Sequence, residues 1–276
     1  MKNSRISQLK TALVTGASSG IGREFARELA SHGRNIVLAA RRIDRLRELA
    51  GGLEQKYGVT ASPIRADLSA PYAAQELYDE VRRRQIDIDI LVKNAGFNVY
   101  GPFTETNHGD ELGLLQVNLV ALVSLTKLFV PDMVRRGYGR VLNLGSTGSF
   151  APAPFDSLYA ASKAFVLSFS EAIGEELKGT GVTVTTLCPG PTKTEFAERA
   201  GMTHVKIFSG QLTSPQKVAS VGYKTMIAGH ATVIIGLANR LQVWSMRFSP
   251  RSVVRKVAKG LMSRQAQQLG ATAQRA

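Results

Sequence analysis

Tyr159 and Lys163 stand four residues apart in DSLYAASKAF (156–165), a segment that is otherwise mostly small and apolar. On a helix, residues i and i+4 share a face, so a phenol and an ammonium would project together. A phenol ordinarily titrates near pH ~10 and is a poor base at neutrality, but a nearby ammonium favours the phenolate and lowers that value. The pair is suited to passing a proton to or from a substrate oxygen, which is general acid–base chemistry. Burying both groups costs free energy unless they have partners.

A second candidate lies near the start of the chain. TGASSGIG (15–22) places Gly16, Gly20 and Gly22 between an apolar run, TALVT (11–15), and a helical segment reaching about His32. Glycines in a strand–loop–helix setting allow a tight turn, close approach of backbone to a pyrophosphate, and phosphate binding on the helix N-terminus. The spacing departs from G-x-G-x-x-G, and an ordinary Gly/Ser loop is the plain alternative. The next apolar run, NIVLAA (35–40), ends in Arg41 and Arg42. An acidic residue there would suit a ribose 2′-hydroxyl, whereas arginine's planar fork suits a 2′-phosphate, so NADP(H) is expected over NAD(H).

The elements that must position these groups follow from the alternation of apolar runs and helix-period segments. Strands are expected at 11–15, 35–40, 59–67, 89–96, 139–146, 182–190 and 231–236. Helices fall between them: 44–58, weakened by its glycines; 71–85, with Pro71 at its first position; roughly 108–136 and 156–179; and one opened by Ser214 and Pro215. Nearly all-apolar strands alternating with helices imply an α/β fold, a seven-stranded parallel sheet with helices on both faces. Ligands then bind beyond the carboxyl ends of the strands. No repeat or linker divides residues 1–237, read as one catalytic domain with 238–276 as a helical extension.

TGASSGIG, a downstream NAG (94–96) and YAASK preceded by a serine, in that order from about residue 10 to 237, resemble the short-chain dehydrogenase/reductase family. The resemblance implies a doubly wound Rossmann domain, an oxidoreductase, and four catalytic residues: Ser146, Tyr159, Lys163 and Asn118. Ser146 would hydrogen-bond the substrate carbonyl, Lys163 would also hold the nicotinamide ribose, and Asn118 would hold a relay water. Ser149 and Ser157 fit the serine spacing less well. The cofactor would lie on Ser18, Ser19 and Ile21 with the three glycines, on Asp67 and Leu68 at the adenine, and on Asn94, Ala95 and Gly96 at the adenosine ribose. Pro189, Gly190, Thr192 and Thr194 would hold the nicotinamide carboxamide. Where the family usually has N-N-A-G this chain has KNAG, and Lys93 must find a carboxylate, a carbonyl or solvent. A protein that merely sensed NADPH would need the loop and Arg41 but not Tyr159.

Phe97, Phe150, Phe155, Phe196 and Met202 lie in loops flanking the expected cleft and suit a hydrophobic ketone, aldehyde or secondary alcohol, or serve as packing. No metal site is expected. Cys188 is the one cysteine of 276 residues, apolar runs are short, and the start of the chain does not read as a secretory signal, so a cytoplasmic, homo-oligomeric protein is expected. Charge is distributed unevenly. Residues 1–198 hold 23 Lys and Arg against 21 Asp and Glu, while 199–276 hold 12 and none. In GLANRLQVWSMRFSPRSVVRKVAKGLMSRQ (236–265), a helix opened by Ser249 and Pro250 would put Val253, Val254, Val257, Leu261 and Met262 on one face. Arg251, Arg255, Lys256, Lys259 and Arg264 would lie largely off it. A basic amphipathic helix can lie on an anionic membrane, or dock on its own protein or a second copy; no nucleic-acid-binding motif accompanies it.

Overall fold

The computed structural model describes residues 10–263. Seven parallel strands form one sheet: β1 (Thr11–Thr15), β2 (Asn35–Ala40), β3 (Ala61–Arg65), β4 (Ile90–Lys93), β5 (Gly139–Leu144), β6 (Val182–Cys188) and β7 (Thr232–Ile234), in the order 3-2-1-4-5-6-7. The order reverses between β1 and β4, where a crevice opens at the carboxyl edge. The side chains alternate between two cores. Ala12, Val14, Ile36, Leu38, Ile90 and Val92 face α1 (Gly20–Ser31), α2 (Ile43–Tyr57) and α8 (Pro215–Ile227); Leu13, Val37, Ala39 and Leu91 face the other side. That side is covered by α3 (Ala73–Arg83), α5 (Ala121–Arg135) and α6 (Ser157–Glu176). Burial on both faces is why the strands read as continuous apolar runs. Pro63 fits because β3 is the edge strand.

Some boundaries differ from expectation. α2 runs uninterrupted through Gly51 and Gly52, held by its buried face of Leu46, Leu49, Ala50 and Leu53. Pro71 lies outside α3, which starts after Tyr72 in a left-handed conformation (φ 65°). α4 (His108–Leu115) and α5 are joined by a wide π turn, Gln116–Val120. The helix over 108–135 is long and apolar enough to cross a membrane, contrary to the expectation of no such stretch. It belongs to the core: Leu114 is buried, and Leu125, Phe129 and Met133 pack in the cluster against the sheet.

Beyond β7 come α9 (Leu237–Met246) and α10 (Arg251–Met262). The expected single apolar face of α10 is divided. Val254, Ala258 and Met262 turn inward, while Val253, Val257 and Leu261 are exposed. Met262 packs beside Met202 and Val205, and the Tyr100 hydroxyl donates to its carbonyl. Arg264 lies outside the described residues.

Lys93, 3% exposed at the end of central strand β4, finds no carboxylate. Its ammonium donates to the Leu122 carbonyl (3.3 Å) and to the Thr126 hydroxyl. Burial alone lowers its pKa from 10.5 to about 7. Between those values the unfolded chain binds a proton that the folded chain does not, so stability rises as pH climbs from about 7 to 10.5. Lys93→Met should therefore melt higher than the parent at pH values below 7 and show a flatter rise above it, read as Tm against pH.

Candidate active site

One cleft of about 1200 Å³ runs along the carboxyl edge, from the Gly16 loop to the inner faces of α9 and α10. Beneath it Thr15, itself buried, joins the ends of β1 and β4. The Thr15 hydroxyl accepts from the amides of Asn94 and Ala95 (3.1 Å each), and the Asn94 side chain donates to the carbonyls of Thr15 (3.0 Å) and Gly16 (3.3 Å). Gly16 turns with φ 67°, a conformation that costs L-residues free energy. Gly22 does not line the cleft. A Cβ there would stand 2.4 Å from both the Gly16 carbonyl oxygen and Asn94 Nδ2, so its role is to let α1 approach the loop. Gly22→Ala should lower stability by about 1–3 kcal/mol and weaken dinucleotide binding, read by denaturant titration and cofactor fluorescence.

The other expected cofactor positions all border this cleft: Gly16, Ser18, Ser19, Gly20, Ile21, Arg41, Arg42, Asp67, Leu68, Asn94, Ala95, Gly96, Pro189, Gly190, Thr192 and Thr194. Together they make a cradle that fits an adenine dinucleotide: a glycine turn a side chain would fill, cations at one end and an amphipathic loop at the other. Arg41 is exposed, and Arg42 reaches back to the hydroxyls of Ser18 (3.1 Å) and Ser19 (2.8 Å). Burial would raise the Asp67 carboxyl, but the Ser69 hydroxyl and amide, with Arg41 and Arg65 nearby, hold it below the usual range.

Three of the four expected catalytic side chains converge. Ser146 follows β5, Tyr159 lies in the first turns of α6, and Lys163 is one turn further on the same face; all three line the cleft. The Ser146 hydroxyl accepts from the Gly148 amide (3.0 Å) and bonds the Tyr159 phenol. Ser149 instead turns inward and accepts from the Ser146 amide (3.2 Å). Lys163, 5% exposed, donates to the Leu144 carbonyl (2.7 Å), and burial lowers its pKa to about 8. Its ammonium is 5.5 Å from the Tyr159 ring centre. The expected depression of the phenol by Lys163 is not met. Burial first, then the Asp156 carboxylate, push Tyr159 upward, and only the Ser146 bond opposes them. The phenol is accordingly held as a proton donor.

Asn118 does not line the cleft. Buried in the π turn, it accepts from the Phe97 amide (3.3 Å) and donates to the Phe97 carbonyl (3.2 Å) and the Ser162 hydroxyl (3.1 Å). It stands behind Gly96, where a Cβ would meet its Oδ1 at 3.0 Å and Lys163 Nζ at 3.8 Å. Its side-chain contacts fix the Phe97 backbone and the Ser162 hydroxyl.

Of the expected apolar wall, Phe97, Phe196 and Met202 line the cleft; Phe150 and Phe155 do not. Phe150 ends the short turn after Ser146, and Phe155 packs on Tyr100 with ring centres 6.5 Å apart. Phe196 tilts over Tyr159 at 5.4 Å. Sequence reasoning missed four groups. Asp156 lines the cleft, and burial raises its pKa to about 7 although the Asn98 amide opposes this. Met246 and Leu261 reach the cleft from α9 and α10. Glu195, at the start of α7 (Phe196–Arg199), accepts from Arg42 (3.1 Å) and Arg45 (2.8 Å) and pairs with Arg199. Only the Glu195–Arg199 spacing of four could have signalled any of these.

Residues 10–204 match the family described as short chain dehydrogenase. The chain is 32% identical over 237 residues to a very-long-chain 3-oxoacyl-CoA reductase of Rattus norvegicus, covering 83% of this chain and 74% of that protein. It is 29% identical over 234 residues to a 17-beta-hydroxysteroid dehydrogenase type 3 of Mus musculus, covering 83% and 75%. A short-chain dehydrogenase from Sphingobium yanoikuyae in complex with NADPH superposes with a TM-score of 0.78 at 31% identity, over 87% of this chain and 94% of that one. The chain belongs to the short-chain dehydrogenase family, oxidoreductases that use a nicotinamide cofactor.

Proposed function

We propose that the protein is an NADP(H)-dependent reductase or dehydrogenase acting on a long, hydrophobic ketone or aldehyde, or on the corresponding secondary alcohol. The observation that carries this reading is the convergence of Ser146, Tyr159 and Lys163 in one cleft with the glycine cradle and Arg41 and Arg42. The nicotinamide, when bound, supplies or accepts the hydride. In the direction of reduction, Ser146 orients the carbonyl oxygen and Tyr159 gives it a proton. Lys163, held by the Leu144 carbonyl, stands within reach to compensate the phenolate charge that results. Phe97, Phe196 and Met202 exclude water from the reacting carbon. An apolar wall, with no basic cluster converging on it among the described residues, favours a lipophilic substrate over a phosphorylated one at that end. The relatives named for very-long-chain 3-oxoacyl-CoA and for a hydroxysteroid are in keeping with a bulky apolar carbonyl.

Oxidation of NADPH by a panel of long-chain ketones, aldehydes and bulky cyclic ketones tests the reading. Tyr159→Phe should reduce kcat about 10²- to 10⁴-fold while cofactor binding persists. Turnover unaffected by that substitution, or none across the panel, would overturn it. Arginine's part is read separately. The double substitution Arg41→Ser with Arg42→Ser should raise KM for NADPH roughly 10- to 100-fold and leave KM for NADH nearly unchanged, as loss of charge-assisted bonds to a 2′-phosphate requires.

A further inference from the structure

Seven of the twelve large apolar side chains exposed among the described residues lie between Leu237 and Leu261, six on α9 and α10 and Phe248 in the connection between them. They form two stripes. Leu237, Leu241, Trp244 and Phe248 recur at helical spacing, with 58–73% of each exposed, and Val253, Val257 and Leu261 repeat every four residues. A pair of large aromatics, Trp244 and Phe248, touches at 4.9 Å with nothing laid over it. Exposed patches of this kind mark an interaction surface. The same two helices and their connection carry Arg240, Arg247, Arg251, Arg255, Lys256 and Lys259 and no acidic residue. None of the ion pairs among the described residues involves them.

We propose that the outer face of α9 and α10 docks on an anionic phospholipid surface and sets the mouth of the cleft against the bilayer. Charge decides the occupant. A second copy of this chain seated by two-fold symmetry would bring six cations against six like cations with no acid to compensate, which is repulsive. An anionic lipid surface attracts each of them, and interfacial Trp and Phe with aliphatic neighbours insert at the headgroup boundary. The inner faces of the same helices close the cleft: Met246, Ala258, Leu261 and Met262 line it, and Lys206 bonds the Ser263 carbonyl (3.2 Å) to seat the end of α10. Leu261 takes part in both faces, lining the cleft while 37% exposed. A carbonyl compound dissolved in the bilayer thus meets the cleft where the protein meets the lipid. This entry route rests on the oxidoreductase reading above; the docking does not.

The test uses the full chain and vesicles of phosphatidylcholine with or without phosphatidylserine, read by co-sedimentation at low and high salt. Phosphatidylserine-dependent binding that salt weakens is expected. Trp244→Ser with Phe248→Ser, and separately Arg255→Gln with Lys256→Gln and Lys259→Gln, should each weaken it at least about tenfold with Tm unchanged. Equal binding to both vesicle types, no binding, or binding untouched by either variant set overturns the docking. So does concentration-dependent self-association that the aromatic variant abolishes in a chain that ignores vesicles. For entry, the variants should slow reduction of a vesicle-dissolved long-chain ketone and spare a short water-soluble one; parallel slowing or none overturns the route. Binding without turnover of either ketone sinks the oxidoreductase reading and leaves the docking standing.

Discussion

The site depends on how closely the ends of β1 and β4 approach one another. The Thr15 hydroxyl holds two amides beyond β4, and Asn94 returns two bonds to the turn beyond β1. That exchange satisfies polar backbone at a point where the sheet stops supplying partners. It also leaves no room for a side chain at Gly22, whose missing Cβ is the space Asn94 and the Gly16 carbonyl occupy. With β1 and β4 so joined, the crevice where the strand order reverses has a fixed floor. Loops from β5 and β6 then need only extend over it to bring Ser146 and Thr192 to one place.

The second constraint is electrostatic, and it runs against the intuition that a lysine beside a tyrosine makes a phenolate. Both side chains are withdrawn from water, and each is pushed toward its neutral form: the phenol up, the ammonium down to about 8. Asp156 adds to the phenol's reluctance. A site arranged this way keeps the phenol protonated at neutral pH.

Much of the architecture was legible because parallel strands buried on both faces are written as apolar runs, and the turn glycines sit where the backbone must fold tightly. The cofactor cradle was legible for the same reason, being local to strand ends. What escaped was made by distant partners. Glu195 meets Arg42 across 153 positions of sequence, and nothing near either residue foretells it. Phe150 and Phe155 read as cleft residues on proximity alone; Phe150 closes the turn after Ser146 and Phe155 packs on Tyr100. Asn118 lay on the expected helix, but the π turn and the Phe97 backbone determine what it touches. The face of α10 could not be resolved from periodicity, because of the neighbours Val253 and Val254 only the second turns inward once Met262 is anchored.

Glu195 gives the cofactor end of the cleft a particular mechanical character. It straps the segment after β6 to α2 through Arg42 and Arg45 over bonds of about 3 Å, yet its side chain is 39% exposed and those of the arginines 31% and 50%. Ion pairs so wetted contribute about 1 kcal/mol or less each. The strap therefore orders the loop without committing it, and added salt loosens it further. An anionic group arriving at Arg42 would compete with a carboxylate that gives way at small cost, so exchange at this end of the cleft need not wait on unfolding of the loop.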